Sequence, residues 1–407
     1  MSTVVSDLLI VGGGCTGSLI ASLLGTAVSK TCLWEKSASP GRLSSGTGRG
    51  AASGCTYDLG AQYFTAFDGA SGEALAQAEA AGVLSVLPKN SIGGEREATA
   101  LLSNYFAPNG SASLAAHYLA GAVSRGLQYE PKRRLARLGV ENGLWQATDE
   151  SGRESLFRAC VLTLPPPQVL ELGGEAFQAV LDASGAREAL SRVTFSSRFA
   201  LALHFEPGSL GYFDARLPGR PWLGRYISPQ QAGGGVLRYL SFETRKRPPP
   251  GGAEAGGAAA GEAALCPTFL VHSSVEFGAA HAAATPEAEA LLEAAALAAL
   301  GESLQGQGGG GAGAASDAAA GAPALPALVG KRLHRWKFSQ VLQGPPAGLA
   351  AEGALLLQGL PLGGALGASP PLILAGDGMA GRSNFSACYA SAAAAVKHIT
   401  QGLPLPA

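Results

Sequence analysis

Charge is scarce in this chain of 407 residues. Only 14% of residues are Asp, Glu, Lys or Arg, and 29 basic against 30 acidic side chains leave a formal charge of −1. A nucleic-acid-binding surface needs a basic excess, and a disordered solvating chain needs high charge with few apolar residues, so both classes are excluded. The runs Lys132-Arg133-Arg134 and Arg245-Lys246-Arg247 are too short for such a surface and read as solvated loop or strand-end charges. Cysteine is sparse as well: six residues, at 15, 32, 55, 160, 266 and 388, with no CxxC pair. That spacing gives neither a disulfide scaffold nor clustered zinc ligands, so reduced, mostly buried thiols and no metal are expected. Long apolar runs are also missing. The stretch Leu8–Gly25 is broken by glycines and no basic region leads it in, which argues against a membrane span. No secretory or transit segment precedes the first strand signal at Val4, so a cytoplasmic protein is expected.

Apolar surface and glycine are abundant. Hydrophobic residues make up 47% of the chain and glycine supplies 58 positions. A large buried core is expected, in roughly two or three units of about 150 residues each. The opening reads strand, turn, helix, strand: Val4–Val11 is apolar and partly β-branched, Gly12–Gly17 is a glycine turn, Ser18–Leu24 suits a helix and Thr31–Trp34 a second strand. Further strands are expected at Trp145–Thr148, Ala159–Leu164, Phe199–Phe205, Phe269–Ser274 and Leu372–Ala375, and helices at Leu114–Val123 and Asn384–Ile399. Thr285-Pro286-Glu287 combines an N-cap hydroxyl, a proline at the first helical position and an acid in the first turn. It predicts a helix running to about Leu300 and stopped by Gly301. Three stretches, Pro248–Ala264, Gln305–Pro326 and Pro345–Pro370, are rich in Gly, Ala and Pro. They cannot bury enough apolar surface to offset chain entropy and read as inserted loops, the third with a short packed piece at Leu355–Leu357.

Gly12, Gly14 and Gly17 fit the G-x-G-x-x-G fingerprint between a strand and a helix. The first permits the tight turn, the second lets backbone approach a pyrophosphate, and the third lets helix and strand pack closely. The helix that follows turns free N–H groups and its positive dipole end toward phosphates. Glu35, closing the second strand, is placed to bind ribose hydroxyls. This motif leaves the identity of the dinucleotide open. Two other features point to flavin: Pro40-Gly41-Arg42, five residues after Glu35, and Asp58-Leu59-Gly60-Ala61-Gln62-Tyr63 a loop later. Pro40-Gly41-Arg42 brings an arginine whose fork of donors suits phosphate oxygens, although an ordinary surface arginine is the alternative. Near the C-terminus come Gly376-Asp377-Gly378 and then Ser383-Asn384-Phe385, which opens the last helix. The aspartate is suited to accept hydrogen bonds from a ribityl chain, and a helix N-terminus stabilises negative charge on a reduced isoalloxazine.

Taken together, the chain resembles the renalase family of FAD-dependent oxidases, within the broader amine-oxidase-like flavoprotein superfamily. The residues that carry the resemblance run almost end to end. They include Leu9–Leu19, Asp58-Leu59-Gly60-Ala61-Gln62-Tyr63, Phe106–Gly110, Val161–Pro165, Phe195–Leu201 and Pro221-Trp222. Val271-His272-Ser273-Ser274, Trp336, Ser339-Gln340-Val341, Gly376-Asp377-Gly378 and Ser383-Asn384-Phe385 complete the series. Only the three low-complexity stretches lack a counterpart. The resemblance implies non-covalently bound FAD, contacted by Thr16, Arg42, Gln62 and Tyr63, with Glu35 on the adenosine ribose. Asp377 and the Ser383–Phe385 turn would face the ribityl chain and flavin. Two positions depart from the family: Pro40 replaces the first glycine of a Gly-Gly-Arg, and Phe338 stands where animal members carry histidine.

The resemblance further implies an oxidase for isomeric reduced nicotinamide dinucleotides, using dioxygen and releasing hydrogen peroxide. Direct hydride transfer asks little of side chains beyond positioning and electrostatics. Strand alternation puts Leu270, His272 and Ser274 on one face. His272 is therefore the candidate polar group on the substrate side, a hydrogen-bonded core histidine being the alternative. Tyr63, Trp222 and Trp336 are candidates for an aromatic pocket wall. Arg198 and Arg238 are candidates for substrate phosphates, with structural or solvated ion pairs as the alternative. The rival activities are a flavin amine oxidase of the same superfamily and a flavin-binding redox protein with little turnover. The expected fold is α/β: a Rossmann-type FAD-binding domain with a second, substrate domain on a mixed or antiparallel sheet. Residues 1–75, 100–172 and 366–407 would form the first domain, 76–99 and 173–345 the second, with 248–264, 305–326 and 345–370 as insertions.

Overall fold

The computed structural model describes residues 5–38, 40–94, 102–219, 221–247, 266–281, 283–305, 324–362 and 367–403. The expected insertion at 248–264 lies outside the described residues, as does most of 305–326.

Strand Val5–Val11 is buried along nearly its whole length, the signature of a central parallel strand covered on both faces. It pairs in parallel with Thr31–Glu35 on one side and with Glu154–Leu162 on the other. Gln128–Pro131 continues the sheet beyond Thr31–Glu35, and Leu372–Leu374 continues it beyond Cys160–Leu162, both parallel. The sheet thus combines strands from near both ends of the chain with strands from its middle. Leu355–Leu357 adds an antiparallel edge to Leu372–Leu374, so the short packed piece expected there is a strand of this sheet. The meander Leu135–Glu141 and Leu144–Asp149 pairs with the first half of Glu154–Leu162. Alternation divides the core. Leu8 and Ile10 pack with Leu19, Ile20, Leu114 and Ala395 on one face, while Leu9 and Val11 pack with Trp34, Trp145, Phe157 and Phe177 on the other.

The second sheet runs in the order Leu328–Trp336, Arg198–Phe205, Thr268–Ser273, Leu237–Phe242, Gly224–Tyr226 and Ile92–Gly93. Its strands are antiparallel except for the last pair. One face carries Phe199, Leu201, Phe242, Phe269 and Val271, and helix Pro286–Gln305 covers it through Leu292, Ala296, Ala299 and Leu300. Thr285 accepts the Ala288 N–H at 3.2 Å, as its N-cap position predicts. The helix does not stop at Gly301, however. Ser303 and Leu304 are still buried, and the packing outweighs the roughly 1 kcal/mol helix penalty of one glycine.

The other face of this sheet, with Ala200, Ala202 and Leu270, packs on Tyr57 and Leu59. Here the structure corrects the reading of Arg245-Lys246-Arg247 as solvated charge. Lys246 is only 4% exposed and Asp58 and Glu243 are fully buried. Lys246 Nζ lies 3.0 Å from both Asp58 Oδ2 and Glu243 Oε1, and Arg247 Nη2 lies 3.0 and 3.1 Å from the same two carboxylates. Four charges of balanced sign therefore join the Asp58–Tyr63 loop to the second sheet. Arg245 is also buried, donating to Asp214 and to the carbonyls of Pro218 and Trp222. Burial of these basic groups is tolerable because each one meets carboxylates or carbonyls.

Candidate functional site

The fingerprint loop folds as its glycines require. Gly12 adopts φ +107°. A Cβ on Gly17 would sit 1.8 Å from the Gly12 carbonyl oxygen, whereas one on Gly14 would meet nothing within 4 Å. Close helix–strand contact at one glycine and open approach at another is the arrangement a dinucleotide pyrophosphate needs, so the residues present fit such a group. Helix Cys15–Leu23 starts at this point, with Thr16 in its first turn. Thr163 Oγ1 donates to the Val11 carbonyl at 2.9 Å and braces the loop from the neighbouring strand.

Glu35 closes its strand with the carboxylate held on both sides. Oε2 accepts the Gly13 N–H at 2.7 Å, and Oε1 accepts the Ser37 N–H and hydroxyl at 2.9 and 2.7 Å. It borders a cavity of about 270 Å³ lined also by Gly12, Trp34, Arg133, Gln168 and Glu171. The cavity lies outside the carboxyl ends of parallel strands, where open α/β sheets bind ligands. Arg133 overturns the solvated reading of Lys132-Arg133-Arg134. It is 7% exposed, its guanidinium carbon lies 3.5 Å above the Trp34 ring, and it is bonded to Asp149 and Glu130 at 2.9 and 2.7 Å.

Arg42 and Asp377, far apart in sequence, meet face to face. Arg42 Nη1 and Nη2 each donate to one Asp377 oxygen at 2.6 Å, and Nη1 also reaches the Ser339 carbonyl at 3.0 Å. Ser383 donates to Asp377 and accepts the Val341 N–H at 2.9 Å. Burial alone would raise the Asp377 carboxyl, but the Arg42 charge and the hydrogen bonds from Arg42 and Ser383 hold it below the usual carboxylate range. Gly376, at φ +115°, donates its N–H to Ser391 and sets the turn before Asp377. Asn384 caps helix Phe385–Gly402 by accepting the Ala387 N–H at 2.8 Å. Phe385 instead packs edge-on against Phe64, with ring centroids 6.2 Å apart. All six cysteines are free.

On the second sheet His272, Tyr239 and Trp336 gather beside the Asp58–Tyr63 loop. The Leu59 carbonyl accepts from Trp336 Nε1 at 2.9 Å and bonds His272 Nε2 at 3.0 Å. Burial lowers the His272 pKa to about 4, so the ring is neutral at pH 7 and its Nε2 carries the hydrogen. Gln62 donates to the Asp58 carbonyl and accepts from Lys246 at 3.1 Å. The Tyr63 and Tyr226 hydroxyls are 2.7 Å apart, and the Tyr226 and Tyr239 rings lie 5.1 Å apart. Trp222 is not part of this group; it sits in the core on the other face of the sheet. Phe338 packs against Phe195 at 5.7 Å.

Sequence reasoning passed over Tyr226, Tyr239 and Glu243 and took Lys246 as solvated. Tyr239 meets His272 only by cross-strand pairing. The i, i+3, i+4 spacing of Glu243, Lys246 and Arg247 in a charge-poor chain was the signal for the ion network. Among the described residues no group of His, Cys, Asp and Glu could hold a metal, and no helix is long and apolar enough to cross a membrane.

The buried histidines give a pH prediction. His204, 2% exposed and bonded through Nδ1 to Thr268, is lowered by burial to about 4, as is His272. Both are depressed below the unfolded value near 6.5. Their contribution is therefore fully present above pH 6.5 and is lost as pH falls through about 4. His204 alone accounts for roughly 3 kcal/mol across that window. Thermal melting should drop between pH 6.5 and 4, and His204→Asn should flatten the drop. A melting temperature constant over that range would show that the rings are protonated in the fold.

Comparison with known proteins agrees with this geometry. Residues 10–77 match the model of an NAD(P)-binding Rossmann-like domain. The chain is 27% identical to renalase of Mus musculus over 402 residues, covering 97% of this chain and 98% of that protein. The crystal structure of a putative protoporphyrinogen oxidase from Exiguobacterium sp. 255-15 aligns with a TM-score of 0.57 at 14% identity. That alignment covers 98% of this chain and 99% of the other, and at such identity it speaks for the fold alone.

Proposed function

We propose that this chain, renalase-like over nearly its whole length and folded as a flavin-dependent oxidoreductase, holds FAD non-covalently and oxidises isomeric reduced nicotinamide dinucleotides. Dioxygen would be the acceptor, with NAD(P)+ and hydrogen peroxide as products. Bound flavin supplies a hydride acceptor and an electron donor to dioxygen. The residues toward it are Gly12, Gly14, Thr16 and Gly17 for the pyrophosphate and Glu35 for the adenosine ribose. Arg42 and Gln62 belong to the same contact set, and Gly376, Asp377 and the Ser383-Asn384-Phe385 turn serve the ribityl and ring end.

The observation that carries the reading is how the polar groups of the aromatic wall are used. His272 and Trp336 both spend their ring N–H on the Leu59 carbonyl, and His272 is neutral. What Tyr63, Tyr239, His272 and Trp336 offer a substrate is mainly ring surface. Hydride transfer from a dihydropyridine needs that surface to align the ring and needs no side-chain base. His272 and Tyr63 thus act as positioning groups for the substrate ring.

The test is anaerobic. Purified protein should be yellow, and acid precipitation should release its flavin into the supernatant. Mixing with isomeric dihydronicotinamide dinucleotides should bleach the flavin absorbance, and readmitted oxygen should restore it with formation of peroxide. Bleaching by primary amines alone would overturn the substrate assignment. Flavin retained in the acid pellet would overturn the non-covalent site.

A further inference from the structure

Arg198 and Arg238, on the substrate-side sheet, have no acidic partner among the described residues. Arg198 starts the strand Arg198–Phe205, on the face that carries Ala200, and its neighbour across the sheet is Trp336. Among the described residues its Nη1 and Nη2 reach only the Ser273 carbonyl at 3.4 Å and Gln340 Oε1 at 3.2 Å, and its buried Nε has no partner. Arg238 stands at the register irregularity between Leu237 and Tyr239, opposite Ser273 and His272. Its guanidinium carbon lies 4.9 Å over the Tyr226 ring, and among the described residues its guanidinium donates only to the Ile227 carbonyl, at 3.4 Å. Among the described residues neither arginine has a carboxylate within ion-pair distance. Glu276, exposed, acts on Arg198 only from farther away. Burial and the neighbouring Arg238 charge both disfavour the Arg198 cation.

Other buried cations of this fold are paired with carboxylates. Lys246 and Arg247 share two carboxylates, and Arg133 has two of its own. Two like charges left unpaired beside an aromatic wall are an arrangement completed by an anion from outside, and guanidinium forks match phosphate oxygens. We infer that Arg198 and Arg238 form the subsite for the substrate's pyrophosphate, while the ring rests on Tyr239, His272 and Trp336. The inference deepens the proposed function and rests on it. It also supplies a reason for selectivity: the same two charges repel the ammonium group of an amine substrate.

The test uses the flavin-loaded full-length protein. NAD+, ADP-ribose and inorganic pyrophosphate are titrated by calorimetry, with succinate as the dicarboxylate control. Arg198→Gln and Arg238→Gln should each weaken NAD+ and ADP-ribose binding by about tenfold, as expected for a lost hydrogen bond to a charged group. The double variant should also lose the preference for dihydronicotinamide dinucleotide over phosphate-free dihydronicotinamide riboside, through KM with kcat little changed. Arg198→Lys and Arg238→Lys, which keep the charge, should recover part of the binding and serve if the glutamine variants are insoluble. Unaltered NAD+ and ADP-ribose affinity in the variants would overturn the subsite, as would arginine-dependent binding of succinate alone. If the riboside bleaches the flavin while wild-type protein binds no phosphate probe, the subsite is wrong and the proposed function stands. If ADP-ribose binding depends on both arginines while no dihydronicotinamide bleaches the flavin, the subsite stands and the proposed function falls.

Discussion

Replacing Lys246 by methionine is expected to destabilise the fold by about 3–5 kcal/mol, the cost of removing one partner from a buried charge network. Asp58 and Glu243 are fully buried, and Lys246 contacts both at 3.0 Å. Without it, two carboxylates would share one cation, Arg247. In the native chain Asp58 is held down to about 2: burial would raise it, but Lys246 and Arg247 more than offset that. A depressed carboxyl contributes stability above its unfolded value near 3.9, and the contribution is lost as pH falls through about 2. The methionine variant should therefore show a lower urea midpoint at pH 7 and an acid transition moved to higher pH. Pairing it with Glu243→Gln, which restores charge balance, should recover part of the loss. A single-variant cost under about 1 kcal/mol would show that the network is solvated in solution.

Asp377→Ala is expected to strip the protein of flavin while leaving it folded, with FAD retention at least about tenfold weaker, or 1.4 kcal/mol. The substitution removes both acceptors of the Arg42 fork and the acceptor of the Ser383 hydroxyl. Those bonds join the loop at residues 40–42 to the turn ahead of the last helix, so the proposed ribityl end of the site loses its shape as well as its carboxylate. The readout is flavin absorbance per polypeptide after gel filtration, beside circular dichroism for folding. Protein reconstituted with excess FAD should keep the native pH dependence of flavin reduction. Arg42 holds the Asp377 carboxyl ionised through the working range, and a group that does not titrate there cannot supply an ionisation. Normal FAD content, with an ionisation missing from that profile, would instead make Asp377 an acid/base group.

How much of this was legible in the chain follows from the range of the forces involved. The strand–glycine–helix–strand opening, Glu35 at the end of its strand, the Thr285 and Asn384 caps and the hydrophobic alternation of the central strands all depend on neighbours within a few residues. The backbone's φ/ψ limits, orphan N–H groups and side-chain period act locally, so residue order alone determined these features. The helix that runs past Gly301 shows where local preference yields: a small propensity penalty loses to continued burial against the sheet.

Charge was the property the sequence could not assign. Glu130 and Glu243 stand three residues from Arg133 and Lys246, but nothing near them in the chain says that Arg133 lies over Trp34 beside Asp149 or that Lys246 also meets Asp58. A basic side chain is solvated or buried according to which carboxylates the topology delivers, and Asp149 and Asp58 come from other strands. The same holds for Arg42 and Asp377, 335 residues apart, and for His272, whose ring is fixed by a carbonyl 213 residues earlier. Residue order alone sets the glycine loop and the kind of fold around it. Which charges are neutralised, which histidines stay neutral and that Arg198 and Arg238 meet no carboxylate among the described residues all follow from the three-dimensional arrangement, because burial and Coulomb energy depend on distance in space.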